Sequence, residues 1–346
     1  MNREPVTGFL TSAGGGLLSL LLLVALISCG KNDGGSVAES AAIPPLILYS
    51  SLPEETVRSI TAAYTEHSGV AMHYMLESAP VLVEKLRTKA HRPGADVLLI
   101  ADAGQLAAAV EQDVLRPTYA EAIRQNVPVT QRDPDGYWFG LSARAVAIVY
   151  DQRKVDPAHV GSYANLAEES WFGRLCLLSS KQEASRTVVA YLIATLGDRD
   201  AELVVRDWKK NSVGFVFPSE RELLFAIEDG HCQIGFAGSG VIAELQQEGG
   251  ADHVAPHWPA EADGGVLLSI SGAGVSRHAA NPEQAVQFLE WLSAAEGQRV
   301  LIAPGWDLPV NPQARATALA VSSVESAQLG YLAPDAMKLA KRARYP

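Results

Sequence analysis

A continuous apolar strand running straight into an amphipathic helix narrows the possible folds more than any other feature of this chain. It first occurs at Leu46 to Val70, LILYSSLPEETVRSITAAYTEHSGV. Leu46, Ile47 and Leu48 are apolar on both faces, as a parallel strand covered by helices on each side must be. Val57, Ile60, Ala63, Tyr64 and His67 then recur at helical spacing. Ser51 with Glu54 three residues on matches a capping box, and Pro53 is tolerated in a first turn because the amide it lacks would have had no helical partner. The helix is therefore expected to start at Ser50 or Ser51. A helix N-terminus at the carboxyl end of a parallel strand presents free backbone amides to a crevice, which is where open α/β sheets hold ligands. Ser50 and Ser51 are candidate ligand contacts on this ground, and capping its own helix is an equal role for Ser51.

The unit repeats. Val70 to Leu76 reads as a strand, Pro80 to Ala90 as a helix, Asp96 to Ile100 as a buried strand and Gln105 to Glu111 as a helix, so a parallel sheet with right-handed crossovers is expected. Asp102 sits at the end of the third strand, either capping the next helix or offering a carboxylate to a ligand. Gly136 to Asp151, GYWFGLSARAVAIVYD, is too long for an ordinary strand unless it serves two lobes, which places a hinge there. Arg144, in its middle, reads equally as a bidentate clamp for an anion and as an interlobe ion pair.

Beyond Asp151 the pattern returns less regularly. Asn165 to Ser170 reads as helical and Arg174 to Leu178 as a strand. Ser179-Ser180-Lys181 then leads into a helix over Ala184 to Leu196, copying the first strand-to-helix join. Two such joins, one per lobe, are expected to face each other across a cleft. Val213 to Phe217 and Cys232 to Ala237 read as strands, with Ser219 capping a helix between them. His253 to Trp258 is short and broken by proline, and Val266 to Val275 reads as a strand pair or a strand crossing back. Asn281-Pro282 opens a helix with Ala285, Phe288, Leu289 and Leu292 on one face.

The 346 residues suffice for two domains of roughly 100–200 residues. The net charge of −11 and the scattered basic residues leave no footprint of nucleic-acid binding, and Lys338 to Arg344 reads as a solvated helix face. At the N-terminus, Arg3 precedes an uncharged run ending in Leu17 to Ile27, too short to span a bilayer and suited to a signal peptide. Leu26-Ile27-Ser28-Cys29 resembles the lipobox of bacterial lipoproteins, which implies a signal peptide over 1–29, acylation of Cys29 and membrane attachment of an exported protein through that lipid. Residues 30–45, rich in Gly, Ser, Asn, Asp and Ala, read as a tether. An exported compartment permits a disulfide, but Cys176 and Cys232 have no spacing logic and are expected to be separately buried.

The remaining motifs are weak. Gly238-Ser239-Gly240 with Ala243 fits GxGxxA, yet no regular strand with a terminal acidic residue follows, so a dinucleotide fingerprint is not expected. His253 and His257 flank Pro256 and lack a third zinc ligand nearby. No GxSxG or Cys/His pattern supports a nucleophile, so no catalytic residue is assigned. Trp258, beside Pro259, and Trp306, two residues after Pro304, read as stacking surfaces for a ligand or as loop packing.

Taken in order, LILYSSLPEE, PGADVLLIADAGQL, GYWFGLSARAVAIVYD, SYANLAEESWFGRLCLLSS and SGAGVSRHAANPEQAVQFLEWLSAAEGQRVL, ending in DLPVNP, resemble the ferric-iron class of ABC-importer substrate-binding proteins from Leu46 to about Asn311. The resemblance implies an α/β, two-lobed, type 2 periplasmic-binding (Venus-flytrap) fold hinged on two crossing strands. Lobe 1 is then expected over 46–144 plus 265–310 and lobe 2 over 145–264 plus 311–346. It also implies a monomer that hands a captured solute to a membrane permease and its ATPase, with ferric iron as cargo rather than resident cofactor. Iron binders of this class supply paired tyrosines after the strand that here is Cys232 to Ala237, and the matching place holds Gly240-Val241. The ligand contacts expected are Ser50, Ser51, Asp102, Arg144, Ser180, Lys181, Ser239, Gly240 and Trp258, with no protein ligand to a metal. An anionic organic solute taken without iron, or an exported lipoprotein or enzyme with no transport role, are the alternatives.

Overall fold

The computed structural model describes residues 44–88, 94–302, 307–314 and 319–346. The expected signal peptide, Cys29, most of the tether and Trp306 lie outside the described residues.

The first lobe opens with β1 (Leu46–Ser50), α1 (Glu54–Ser68), β2 (Met72–Leu76), α2 (Ala79–Arg87), β3 (Val97–Ile100), α3 (Ala103–Glu111) and α4 (Glu121–Asn126). β1 pairs in parallel with both β2 and β3, as the all-apolar strand pattern requires. The long strand β4 (Phe139–Asp151) then leaves this lobe. The second lobe comprises β5 (Leu175–Leu178), α5 (Glu183–Asn211), β6 (Ser212–Phe217), α6 (Glu220–Glu228), β7 (Ile234–Gly238), α7 (Ser239–Gln247) and β8 (Val254–His257). β9 (Leu267–Val275) returns to the first lobe and is followed by α8 (Pro282–Ser293), α9 (Ala295–Leu301), β10 (Leu308–Pro309) and α10 (Ser326–Arg342). The strands form one mixed sheet in the order β2-β1-β3-β9-β4-β7-β5-β6, with β8 and β10 both paired to β4.

Two hydrophobic cores lie along this sheet, and the crossing strands feed both. Ala143 and Ala145 of β4 belong to the first core while Val146 to Tyr150 belong to the second, and β9 divides likewise between Leu268 and Leu267. The first half of β4 pairs antiparallel with β9 and the second half with β7 and β8. Twelve of the thirteen β4 residues are buried and the exception is Arg144, so the strand that joins the lobes presents one charged side chain at the junction. α10 packs on α3 of the first lobe and α5 of the second. The approach to α3 is close enough that a Cβ on Gly330 would lie 2.7 Å from the Ala103 carbonyl oxygen, so only glycine fits there. Buried Asp96 accepts from the Ile47 amide at 2.9 Å and the Asn281 amide at 2.8 Å, tying β1 to the start of α8.

Several sequence expectations change at this level. α1 begins at Glu54 with Pro53 as N-cap and no side-chain cap, so the Ser51/Glu54 capping box does not form. The helix expected over Asn165 to Ser170 is instead two 3₁₀ turns, Ala164–Ala167 and Glu169–Trp171, closed by bonds to the third residue back, such as the Glu168 amide to the Asn165 carbonyl at 3.0 Å and the Trp171 amide to the Glu168 carbonyl at 3.1 Å. α5 continues past Leu196 through a break at Gly197, whose φ of 79° disfavours a side chain. The proline-broken segment after His253 pairs with β4 as β8, its Pro256 tolerated on an edge strand. Cys176 and Cys232 form a disulfide rather than lying apart, because β5 and β7 are parallel neighbours and bring the two Cα atoms to 5.7 Å.

Candidate functional site: a cavity between the lobes

A cavity of about 220 Å³ opens where the two lobes meet the crossing strands. Leu52, Pro53 and Thr56 bring the start of α1 to its wall, and Ala101 brings the end of β3. Ser142 and Arg144 of β4, with Ser271 of β9, form its floor, the first two lying two residues apart along a strand and hence on one face. The second lobe contributes Gly240, Val241 and Glu244 from the first turns of α7, and Leu301, Ile302 and Asp307 complete the lining. Both α1 and α7 start here without a side-chain cap. Their first amides and the positive ends of two helix dipoles, one per lobe, thus meet at one space.

Arg144 organises the charge. Its Nη2 donates to Glu183 Oε2 at 2.9 Å and its Nε lies 3.9 Å from Asp307 Oδ1. Ser142 Oγ donates to Asp307 Oδ2 at 2.7 Å, and Ser269 Oγ donates to Glu183 Oε1 at 2.7 Å. Burial opposes the charge on Arg144, but Glu183, Asp307, Glu220 and Asp102 outweigh it and hold the guanidinium protonated. Burial also pushes the Glu183 carboxyl up to about 7, against the pull of Arg144 and with the push of Asp102. Glu220 is raised by burial too, although it accepts from the Gly238 amide at 3.1 Å. The guanidinium at the cavity floor is therefore a permanent cation, and burial opposes ionisation of Glu183 and Glu220 next to it.

A second charge contact crosses between the lobes. Asp102 caps α3 by accepting from the Gly104 amide at 2.7 Å, and it also pairs with Arg186 of α5. The two side chains are 20% and 22% exposed, so this pair is shielded from bulk water on both sides.

The residues expected to contact a ligand divide into two groups. Arg144 and Gly240 line the cavity. Ser50 is fully buried and its hydroxyl accepts from the Leu52 amide, while the Ser51 hydroxyl accepts from the Ala101 amide and stitches β1 to β3. Ser239 accepts from the Ala145 amide, so its hydroxyl is also spent on backbone. Ser180 and Lys181 do not oppose Ser50 across the cavity. They line a separate concavity with Lys338, Lys341 and Tyr345, because β5 ends against the C-terminal segment, where the Ser180 amide donates to the Pro346 carbonyl. The facing join is the start of α7, since β7 rather than β5 lies beside β4. Trp258 follows β8, 36% exposed and outside the cavity wall. Glu183, Arg186 and Asp307 were not legible as site residues: an acid in a first helical turn reads as a dipole partner, and nothing local brings Asp307 to Ser142. Among the described residues no three His, Cys, Asp or Glu side chains gather as a metal site, and no tyrosine lines the cavity.

Comparison with known proteins agrees with this architecture. Iron uptake protein A1 of Synechocystis is 29% identical over 292 residues, 82% of this chain and 81% of that protein. The major ferric iron-binding protein of Neisseria meningitidis is 24% identical, over 81% of this chain and 85% of its own length. Among solved structures, Trichodesmium IdiA (FutA) in complex with iron and citrate superposes with a TM-score of 0.83 at 28% identity, covering 87% of this chain and all of that one. Mannheimia haemolytica ferric iron-binding protein A in an open conformation gives 0.81 at 20% identity over 88% of this chain and 99% of its own, a likeness of fold. The fold is the two-lobed type 2 periplasmic-binding fold expected from the motif order. Residues 46–307 match the bacterial extracellular solute-binding proteins, and the chain belongs to that family.

Proposed function

We propose that this chain is the solute receptor of an ABC importer of the ferric-iron class, closing its two lobes over iron-bearing cargo and presenting it to a membrane permease and its ATPase. The reading rests on one observation: the cavity lies between lobes joined by β4 and β9, where small rotations about the crossing strands open or close it. The names of the relatives, iron uptake and ferric iron-binding proteins, support iron as the cargo and transport rather than catalysis as the role. The LISC sequence at Leu26 to Cys29 supports export, cleavage before Cys29 and attachment by lipid, with the receptor working as a monomer outside the cytoplasm.

Thermal shift and metal analysis of the purified protein test the reading. A ligand at a hundredfold excess over Kd stabilises the native state by about 2.7 kcal/mol, so ferric citrate is expected to raise the melting temperature clearly. If a phosphonate or another iron-free solute does so while no iron species does, the anionic-solute alternative replaces this one. Mass spectrometry of the membrane-bound protein checks the anchor, which predicts a diacylglyceryl group on Cys29 and loss of attachment in Cys29→Ala.

A further inference from the structure

Lys181 and the basic run at Lys338 to Arg344 take no part in the cavity between the lobes, yet the fold brings them together. Met337, Lys338 and Lys341 are exposed on α10 at spacings of three and four residues, hence on one face, and exposed Arg344 follows just past the helix end. These side chains and the β5-to-α5 join at Ser180-Lys181 line one open concavity of about 560 Å³. Its position is set by the core: Tyr345 is buried and donates its hydroxyl to the Leu178 carbonyl, while the Ser180 amide donates to the Pro346 carbonyl at 2.8 Å.

The charge there is one-sided. Among the described residues Lys181, Lys341 and Arg344 make no ion pair, and Lys338 is paired only with exposed Asp335, at 2.8 Å. Arg342, the remaining cation of the run, turns instead to Asp198 and Glu202 of α5. Arg344 has a φ of 57°, in the left-handed region where a helix end usually takes glycine. A cationic side chain thus stands at a backbone position that glycine would fill with less strain.

Resting on the lipid attachment proposed above, we infer that this concavity is a membrane-facing surface that seats the anionic phospholipid headgroups of the bilayer to which Cys29 ties the protein. Residues 30–346 carry the whole net charge of −11, because Arg3 and Glu4 cancel, so an anionic bilayer repels most of the protein. The concavity is the exception: its cations meet phosphate oxygens, and Met337 adds an apolar contact at the headgroup level. Residues 30–45 reach at most about 55 Å, at about 3.3–3.6 Å per residue, enough to turn any face of a domain with a radius of gyration of about 19 Å to the membrane. The tether favours a bilayer over an acidic partner protein, since it keeps the surface beside the membrane at high effective concentration.

The test reconstitutes the membrane-extracted protein in vesicles of phosphatidylcholine, with or without phosphatidylglycerol, and follows lysine acylation by a water-soluble reagent with peptide mass spectrometry. Lys181, Lys338 and Lys341 are expected to label severalfold more slowly when phosphatidylglycerol is present and to recover in about 0.5 M salt, while Lys85 and Lys154 do not change. Lys341→Gln with Arg344→Gly, the latter suited to the left-handed backbone, is expected to weaken the contact about 25-fold, from about fivefold per cation, and to return Lys181 and Lys338 to their neutral-vesicle rates. Equal labelling in the two vesicle types overturns the inference while leaving lipid attachment standing. Protection by inorganic phosphate in neutral vesicles, with none from phosphatidylglycerol, makes the concavity a free-anion site and overturns it too. If the protein does not float with neutral vesicles, the lipid attachment fails, and anionic vesicles then decide: flotation supports the basic surface, and protein left in solution overturns both readings.

Discussion

Glu183→Gln turns the unusual carboxyl beside Arg144 into a measurable slope. Burial, with Asp102 adding to it, moves the Glu183 carboxyl from its ordinary 4.5 to about 7 even though Arg144, Ser269 and Arg186 favour the ionised form. Between those two values the native state holds a proton that the unfolded chain has released, so stability falls as pH rises through this window. The displacement sets a ceiling of about 3 kcal/mol, from about 1.36 kcal/mol per pH unit. The contribution is complete below about pH 4.5 and lost above about pH 7. The substituted carboxamide would keep an acceptor for the Arg144 Nη2 and remain neutral at every pH. The charges facing the group, Arg144, Arg186, Asp102, Asp307 and Glu220, stay in place in both proteins. Urea unfolding followed by circular dichroism at pH 5, 6, 7 and 8 should show the unmodified protein losing about 1–3 kcal/mol more than Glu183→Gln across the range, an order-of-magnitude figure from the same linkage. Parallel pH profiles would refute the idea that Glu183 is held near neutrality by its surroundings.

Three other perturbations probe the frame around the cavity. Asp102→Asn removes one charge of the shielded interlobe pair with Arg186 and is expected to cost about 1–3 kcal/mol, between exposed and buried pairs, and to raise the radius of gyration in solution scattering as the lobes part. Gly330→Val places side-chain carbons where a single Cβ already sits 2.7 Å from the Ala103 carbonyl, so a loss of about 1–3 kcal/mol in denaturant unfolding is expected; an unchanged midpoint would mean α10 shifts freely on α3. Replacing Cys176 and Cys232 together by Ser opens a 56-residue loop, for which chain entropy gives about 4 kcal/mol, checked by comparing oxidised, reduced and doubly substituted protein in urea.

The periodicity of the strands was legible in the sequence. β1, β3, β4, β7 and β9 stand within a few residues of their expected ranges because a strand buried on both faces must be apolar without interruption, and such runs admit few other readings. The length of β4 announced a crossing between lobes, and Arg144 stood out as a charge in an otherwise buried strand. The α/β class followed from local pattern for that reason, the two-lobed form from the resemblance in motif order, and of the two joins expected to face each other only the first opens on the cavity.

Tertiary structure decided which ends meet. Ser50, Ser51 and Ser239 read along the chain as candidate ligand contacts, Ser51 equally as a helix cap, but their hydroxyls are used by the amides of Leu52, Ala101 and Ala145, and the last two of these lie far away in sequence. The join at Ser180 has the same local signature as the one at Gly238-Ser239, and only strand order separates them: β7 lies beside the crossing strand and opens on the cavity, while β5 lies one strand further out and ends at the C-terminal segment. The Cys176–Cys232 bond and the meeting of Glu183 with Arg144 arise in the same way, from neighbours in the sheet and across the junction that are far apart along the chain. Periodicity is a property of consecutive residues, so sequence alone carried the elements. The wall of a cavity is a property of distant ones, and it came into being only when the sheet ordered its strands.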